Sequence, residues 1–182
     1  LKTSARYLAK FARLMRLVLE NSRDSLVPLE KDIQALEQYV ALEKIRFKEK
    51  IIVEFDVTPQ LLAKGFLIAP MLLQPLVENA IWHGLMPKDQ QGHLKVSICE
   101  SNTQLLCKVR DDGVGRAARQ QDHSPPGKKP QHSSQGLNNT RDRLRLLASY
   151  LQEPIDFEIV DLTDADGHPS GTEVRLRFPL IL

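Results

Sequence analysis

The chain has 182 residues, 42% of them apolar and 26% charged, with a net charge of +2. This is the profile of an ordinary soluble globular protein, long enough for one domain plus an extra element. So small a net charge creates no field suited to a nucleic-acid backbone, and no nucleic-acid partner is expected. No apolar run approaches the ~20 residues that cross a membrane. The start, Leu1-Lys2-Thr3-Ser4, has neither the apolar stretch of a signal peptide nor a Met, so the chain is read as a piece of a longer protein.

Residues 1–47 read as two helices. Leu8, Phe11, Leu14, Met15, Val18 and Leu19 recur at i, i+3, i+4, with Lys10, Arg13, Arg16 and Arg23 on the other side. The pattern breaks over 21–28, and Pro28 is placed as the first-turn proline of a second helix carrying Leu29, Ile33, Leu36, Tyr39, Val40 and Leu42 through Phe47. Acidic residues in its first half and Lys44, Arg46 and Lys48 near its end suit the helix dipole. The segment is too small to bury its own core. Its stripe packs either on the rest of the chain or on a second copy, and a homodimer through the first helix is the expectation. The division is therefore 1–48, a helical dimerisation or linker segment, and 49–182, a second domain.

From Lys50 the period changes. Residues 51–57 are β-branched and partly alternating, a strand. Pro70 begins a helical segment over 71–83. Residues 94–99 and 105–110 read as strands with a hairpin turn at Asn102 and Thr103. Cys99 and Cys107 lie on these strands and match no zinc pattern, so free, packed thiols in a reducing compartment are expected. Residues 116–135 hold Pro125, Pro126, Gly127 and Pro130 among polar residues with few apolar anchors, which reads as a mobile lid. A helix over 137–151 and strands over 155–162 and 172–179, joined through Asp164-Ala165-Asp166-Gly167, complete the order. Helices on one face of a mostly antiparallel sheet make an α+β two-layer sandwich.

Four short motifs punctuate this order: Gln74-Pro75-Leu76-Val77-Glu78-Asn79-Ala80, Asp111-Asp112-Gly113-Val114-Gly115, Gly136-Leu137-Asn138-Asn139 and Gly171-Thr172-Glu173-Val174. Singly each marks an ordinary turn. Together they supply an amide oxygen for a metal, a carboxylate for a base edge and turns whose N–H groups approach phosphates, the parts of an ATP-Mg²⁺ pocket. Neither a Gly-x-x-x-x-Gly-Lys nor a Gly-x-Gly-x-x-Gly sequence is present.

The order of these motifs resembles the ATP-binding (Bergerat) fold of the GHKL superfamily. The run Met71 to Gly84, the lead-in Leu29 to Phe47 and the run Gly136 to Leu144 resemble the LytS-type sensor histidine kinases over nearly the whole chain. The resemblance implies the catalytic region of a bacterial two-component kinase. This region is cytoplasmic, in a protein anchored in the inner membrane, with ATP and Mg²⁺ as cofactors and a response regulator of the LytTR type as partner. Asn79 would hold Mg²⁺ through its amide oxygen and take part in catalysis. Asp111 would accept from the adenine amino group, with Gly113 and Gly115 bending the backbone toward the base. Gly136, Leu137 and Asn139 would face phosphates at a helix start, and Gly171 and Thr172 would lie near the adenine. Glu78 stands between a base or supporting contact and a surface role. His83 stands between a phosphate contact and a packed side chain. Arg141 and Arg143 stand between phosphate contacts and a solvated helix face.

Departures from the pattern are equally specific. Related ATPases have a water-activating carboxylate where this chain has Pro75, which favours transfer to histidine. Many histidine kinases have Lys where this chain has Trp82, leaving phosphate contacts to Arg141, Arg143 or Lys128 and Lys129. The usual Gly-x-Gly before the last helix reads Ser134-Gln135-Gly136. None of His83, His93, His123, His132 and His168 stands in an Asn-Pro-His-Phe-like setting, so the phospho-acceptor is expected upstream. The competing reading is a degenerate, non-catalytic module used for dimerisation or docking.

Overall fold

Strands that alternate apolar and polar residues bury one face and leave the other in water. The computed structural model of the chain describes residues 2–47, 50–116 and 132–182. In chain order its elements are α1 (Lys2–Asn21), β1 (Val27–Pro28), α2 (Leu29–Arg46), β2 (Ile51–Val57), α3 (Pro59–Leu62), β3 (Leu67–Ile68), α4 (Gln74–Asn79), a π-helical turn (Ala80–Leu85), β4 (Gly92–Ser101), β5 (Gln104–Asp111), α5 (His132–Leu151), β6 (Asp156–Thr163) and β7 (Pro169–Pro179). Five strands form one sheet in the order β2-β4-β5-β7-β6; β2 and β4 run parallel and the other pairs antiparallel. This is the expected two-layer α+β sandwich of GHKL type, preceded by a helical segment.

The inner face of the sheet is a set of apolar rows. Leu94, Val96 and Ile98 of β4 lie beside Leu105, Cys107 and Val109 of β5, and these beside Val174, Leu176 and Phe178 of β7, all buried. The outer face carries charge, with Lys95 Nζ 2.8 Å from Glu54 and 3.1 Å from Asp56. Cys107 pairs with Ile98, and Cys99 is one residue further, so the two thiols point to opposite faces. Cys107 is packed as expected. Cys99 is exposed instead, because it falls on the outward phase of the alternation.

The helical segment is tied into this core. Leu29, Ile33, Leu36, Tyr39 and Val40 of α2 belong to one continuous apolar cluster with Leu72, Leu76, Ile81 and the sheet's inner face. Pro28 does not open the helix. It pairs with Leu67 while Val27 pairs with Ile68, in a small antiparallel ribbon. The first N–H of α2, on Leu29, then donates to the Phe66 carbonyl at 2.7 Å, satisfying a donor the helix leaves open. The buried face of α2 thus crosses the boundary that composition places at residue 48. On α1, Leu14 is buried, while Leu8, Phe11, Met15 and Leu19 are exposed.

One polar contact crosses the core. Asp32 of α2, 2% exposed, accepts from the Met71 N–H through Oδ1 at 2.6 Å. Met71 has φ +55°, a left-handed conformation that is uncommon outside Gly, Asn and Asp. Such strain costs about 1–3 kcal/mol, and a hydrogen bond to a charged group contributes about 1.5–3 kcal/mol, so this contact is large enough to hold the corner. Burial pushes the Asp32 carboxyl up to about 6 from its ordinary 3.8, with the Met71 N–H and the Arg143 charge pulling it back. Cys107, also near Asp32, is itself pushed up to about 12 and stays neutral.

A carboxyl whose folded pKa is raised stabilises the fold fully below the unfolded value and loses that contribution as pH rises through the folded one. Stability should therefore decline between pH 3.8 and about 6 through this group. Asp32→Asn keeps an acceptor for Met71 and cannot ionise. It should lack this decline and exceed the wild type near pH 7 by up to about 3 kcal/mol. Urea midpoints across the acid range test this, and parallel curves for the two proteins would refute it.

Candidate functional site

The inner row of β5 runs Leu105, Cys107, Val109 and then Asp111, so a carboxylate ends an otherwise apolar line. Asp111 is 4% exposed. It pairs with Leu94 on one side and with Thr172 on the other, and Thr172 likewise ends the row of Val174, Leu176 and Phe178. The Asp111 Oδ1 accepts from the Gly113 N–H at 2.9 Å, which orients the carboxylate. The second and fourth motifs therefore meet across one register pair.

The glycines here serve the protein's own packing. A Cβ on Gly84 would lie 2.5 Å from Asp111 Oδ1, and one on Gly113 would lie 2.3 Å from the Gly84 carbonyl. The Val114 N–H donates to that same carbonyl at 3.1 Å. Gly171 has φ +131°, and its Cβ would lie 2.0 Å from the Asp111 carbonyl oxygen. Gly115 has φ +74° and lies against Pro169. These close approaches bring the turn after Asn79, the end of β5 and the start of β7 to one point beneath Asp111.

Asn79 is the last residue of α4 and is half-buried. Pro75 lies in the first turn, where its missing N–H costs nothing. The helix begins at Gln74 rather than at 71, because Met71 is left-handed and interrupts the backbone. The chain then continues as a π-helical turn over Ala80–Leu85, a form frequent at functional sites. Glu78 accepts from Gln74 Nε2 at 3.0 Å and lies toward α2, where its charge pushes the Tyr39 hydroxyl and the Glu43 carboxyl up after burial has done so. His83 is half-buried and has a partner. Trp82 docks against the end of α2: its ring meets Phe47 edge-on at 5.3 Å between centroids, and the Arg46 guanidinium stacks 4.4 Å above it. It thus fastens the helical segment to the Asn79 turn.

The third motif differs from expectation. α5 begins at His132, so Gly136, Leu137 and Asn139 lie inside the helix rather than at its start. The N–H groups lacking intrahelical partners belong to the turn at His132. The Asn139 side chain is exposed. Arg143, expected toward phosphates or solvent, instead donates to the Pro70 carbonyl and, at 3.5 Å, to the Met71 carbonyl. Arg116, the first residue of the expected lid, holds Asp161 with two contacts of 2.6 Å. Residues 117–131, including Lys128 and Lys129, lie outside the described residues.

The residues present fit Mg-ATP. A buried, oriented carboxylate offers an acceptor to a base amino group, and an amide oxygen at the end of α4 suits a hard cation. The fold agrees. The histidine kinase domain of the blue-light activated kinase from Erythrobacter litoralis EL346 superposes with a TM-score of 0.55, at 15% identity, over 96% of this chain and 75% of that one. The catalytic domain of histidine kinase ThkA does so with a TM-score of 0.54, at 15% identity, over 85% and 95%. At such identity the likeness is one of fold. It places the chain in the two-layer fold class of these domains.

Sequence relatives narrow the class. A family model described as histidine kinase matches residues 2–51. The sensor histidine kinase YpdA of Escherichia coli (strain K12) is 30% identical over 149 residues, 80% of this chain and 25% of its own length. The sensor protein LytS of Bacillus subtilis (strain 168) is 29% identical over 170 residues, 89% of this chain and 26% of its own length. The sensor protein LytS of Oceanobacillus iheyensis is 33% identical over 134 residues, 72% and 22%. The chain belongs to the LytS-type sensor histidine kinases and spans about a quarter of the length of these relatives.

Gly113→Ala should cost more stability than Gly167→Ala. At Gly113 a methyl meets the Gly84 backbone at 2.3 Å, whereas at Gly167 nothing lies within 4 Å and only φ +83° opposes the change. The expected losses are more than about 2 kcal/mol at Gly113 and about 1 kcal/mol at Gly167. Equal denaturation midpoints for the two variants would contradict the packing account.

Proposed function

We propose that this chain is the ATP-binding catalytic region of a two-component sensor kinase and directs the ATP γ-phosphoryl group to a histidine of the full-length protein. The observation that carries this reading is the convergence of Asp111, Thr172 and the turn after Asn79 on one point of the sheet's inner face. Bound Mg-ATP supplies the phosphoryl group and the neutralisation of charge during transfer. Asp111 accepts from the adenine amino group and selects the base. Thr172, beside it, completes the acceptor end. Asn79 holds Mg²⁺ through its amide oxygen. Pro75 stands where related ATPases activate water, which favours histidine over water as acceptor. Glu78 acts as a supporting contact, its carboxylate shared with Gln74. Catalysis is then mostly placement of the phosphoryl group for in-line attack.

The partners follow from the same reading. The phosphoryl group passes to an aspartate of a response regulator of the LytTR type, and the full-length protein is anchored in the inner membrane with this region in the cytoplasm. The exposed row Leu8, Phe11, Met15 and Leu19 on α1 supports a homodimer through that helix.

Calorimetric titration with ATP, with and without Mg²⁺ and with GTP as control, tests the site. The wild type should bind ATP saturably and in preference to GTP. Asp111→Ala should abolish adenine-dependent binding, and Asn79→Ala should remove the gain due to Mg²⁺. Unchanged ATP affinity in Asp111→Ala would sink the assignment. For the dimer, Phe11→Glu should shift sedimentation of the chain from dimer to monomer, and a wild type that is already monomeric at micromolar concentration would count against it.

A further inference from the structure

The corner at Pro70 and Met71 is held from two helices at once. From α2, the buried Asp32 carboxylate takes the Met71 N–H at 2.6 Å across 39 positions of sequence. From α5, the Arg143 guanidinium takes the Pro70 and Met71 carbonyls across more than 70 positions. The residue between them is left-handed at φ +55°. Two residues later, Leu73 caps α4, the helix that ends on Asn79. A helix of six residues has little internal resistance to tilting, so its direction depends on how its start is fixed. Leu72 and Leu73 are fully buried, but apolar contacts are non-directional and do not set an angle. The polar clamp does, because its donors and acceptors have defined directions.

We propose that Asp32 and Arg143 are positioning residues for the metal: they clamp the left-handed Pro70-Met71 corner and thereby set the direction of α4 and the place of the Asn79 amide oxygen. The inference rests on the Mg-ATP reading above and adds two residues that touch neither nucleotide nor metal. It also ties the metal position to two helices that lead elsewhere, α2 toward the helical segment and α5 toward the segment after Arg116. Met71 contributes its N–H and its strained backbone rather than its side chain. A glycine there keeps the N–H and adopts the same φ without steric cost.

The test is ATP affinity of the intact chain with and without Mg²⁺. In the wild type Mg²⁺ should tighten binding. Asp32→Ala should lose ~10-fold or more of that gain, the scale by which a small misplacement caused from a distance is felt at a site. Its Mg²⁺-free affinity should stay within about 2-fold, since the Asp111 end is untouched. Asp32→Asn, which keeps an acceptor, should retain the gain. Met71→Gly should restore part of it to Asp32→Ala by removing the strain. Arg143→Met, an exposed change on another helix, should show the same selective loss and serves if Asp32→Ala does not fold. A full Mg²⁺ gain in Asp32→Ala or Arg143→Met overturns the proposal. Equal losses with and without Mg²⁺ also overturn it, because they report general loosening. A folded wild type that binds no ATP removes the underlying reading and this inference with it.

Discussion

The contact between the Gly84 and Gly113 backbones is the constraint on which the site depends. No side chain fits there: a Cβ on Gly113 would lie 2.3 Å from the Gly84 carbonyl, and one on Gly84 would lie 2.5 Å from Asp111 Oδ1. The reason is geometric. A helix lying on a sheet normally stands off by the thickness of two side-chain layers, about 10 Å. Here the turn after Asn79 drops onto the strand ends instead, so that Asp111 is enclosed yet oriented by the Gly113 N–H. The carboxylate at the end of this apolar row is thus buried with a backbone N–H directed at it.

The helical segment is integral to that arrangement. Trp82, only three residues after Asn79, reaches Phe47 and Arg46 at the end of α2. Asp32, near its beginning, reaches the corner that precedes α4. The Asn79 helix and its π-helical turn are thus fastened to α2 at both ends. The apolar face of α2 lies in the same cluster as the sheet, so moving α2 as a rigid body would disturb a buried core and two polar or aromatic contacts together. The exposed row on α1 is different in kind: it faces away from this core and leaves the site untouched.

Much of the fold was legible. The strand over 51–57 is found at those residues, and the hairpin turn falls on Asn102 and Thr103. These segments are β-branched or alternating, and turn chemistry marks the hairpin. The first two errors share one cause, a partner distant in the sequence. Pro28 reads as a helix start by local rule, yet a strand partner 39 residues away, Leu67, claims it. Met71 reads as helical, yet a carboxylate from α2 holds it left-handed. The helix expected from 137 extends back to His132 because Ser and Gln before Gly136 do not oppose helix as strongly as they suggest turn. Asp32 reads as a first-turn acid favoured by the dipole, and nothing local shows that it is buried. For the candidate site, the residue types and their order were visible, and so was the break at Trp82. The direction in which Trp82 and Arg143 point was not.

The sequence by itself determined the two leading helices, the five strands of the main sheet, the two-layer arrangement, the kinship with the LytS-type kinases and the four motifs. Those properties come from periodicity, turn residues and residue order, all of which are local in the chain. Only the tertiary structure decided that Thr172 stands opposite Asp111, that the glycines are demanded by backbone contact, that Trp82 serves the α2 interface, and that Asp32 and Arg143 meet at one strained peptide. Each of these depends on register or on close approach between segments tens of residues apart, and neither quantity leaves a periodic trace in a single sequence.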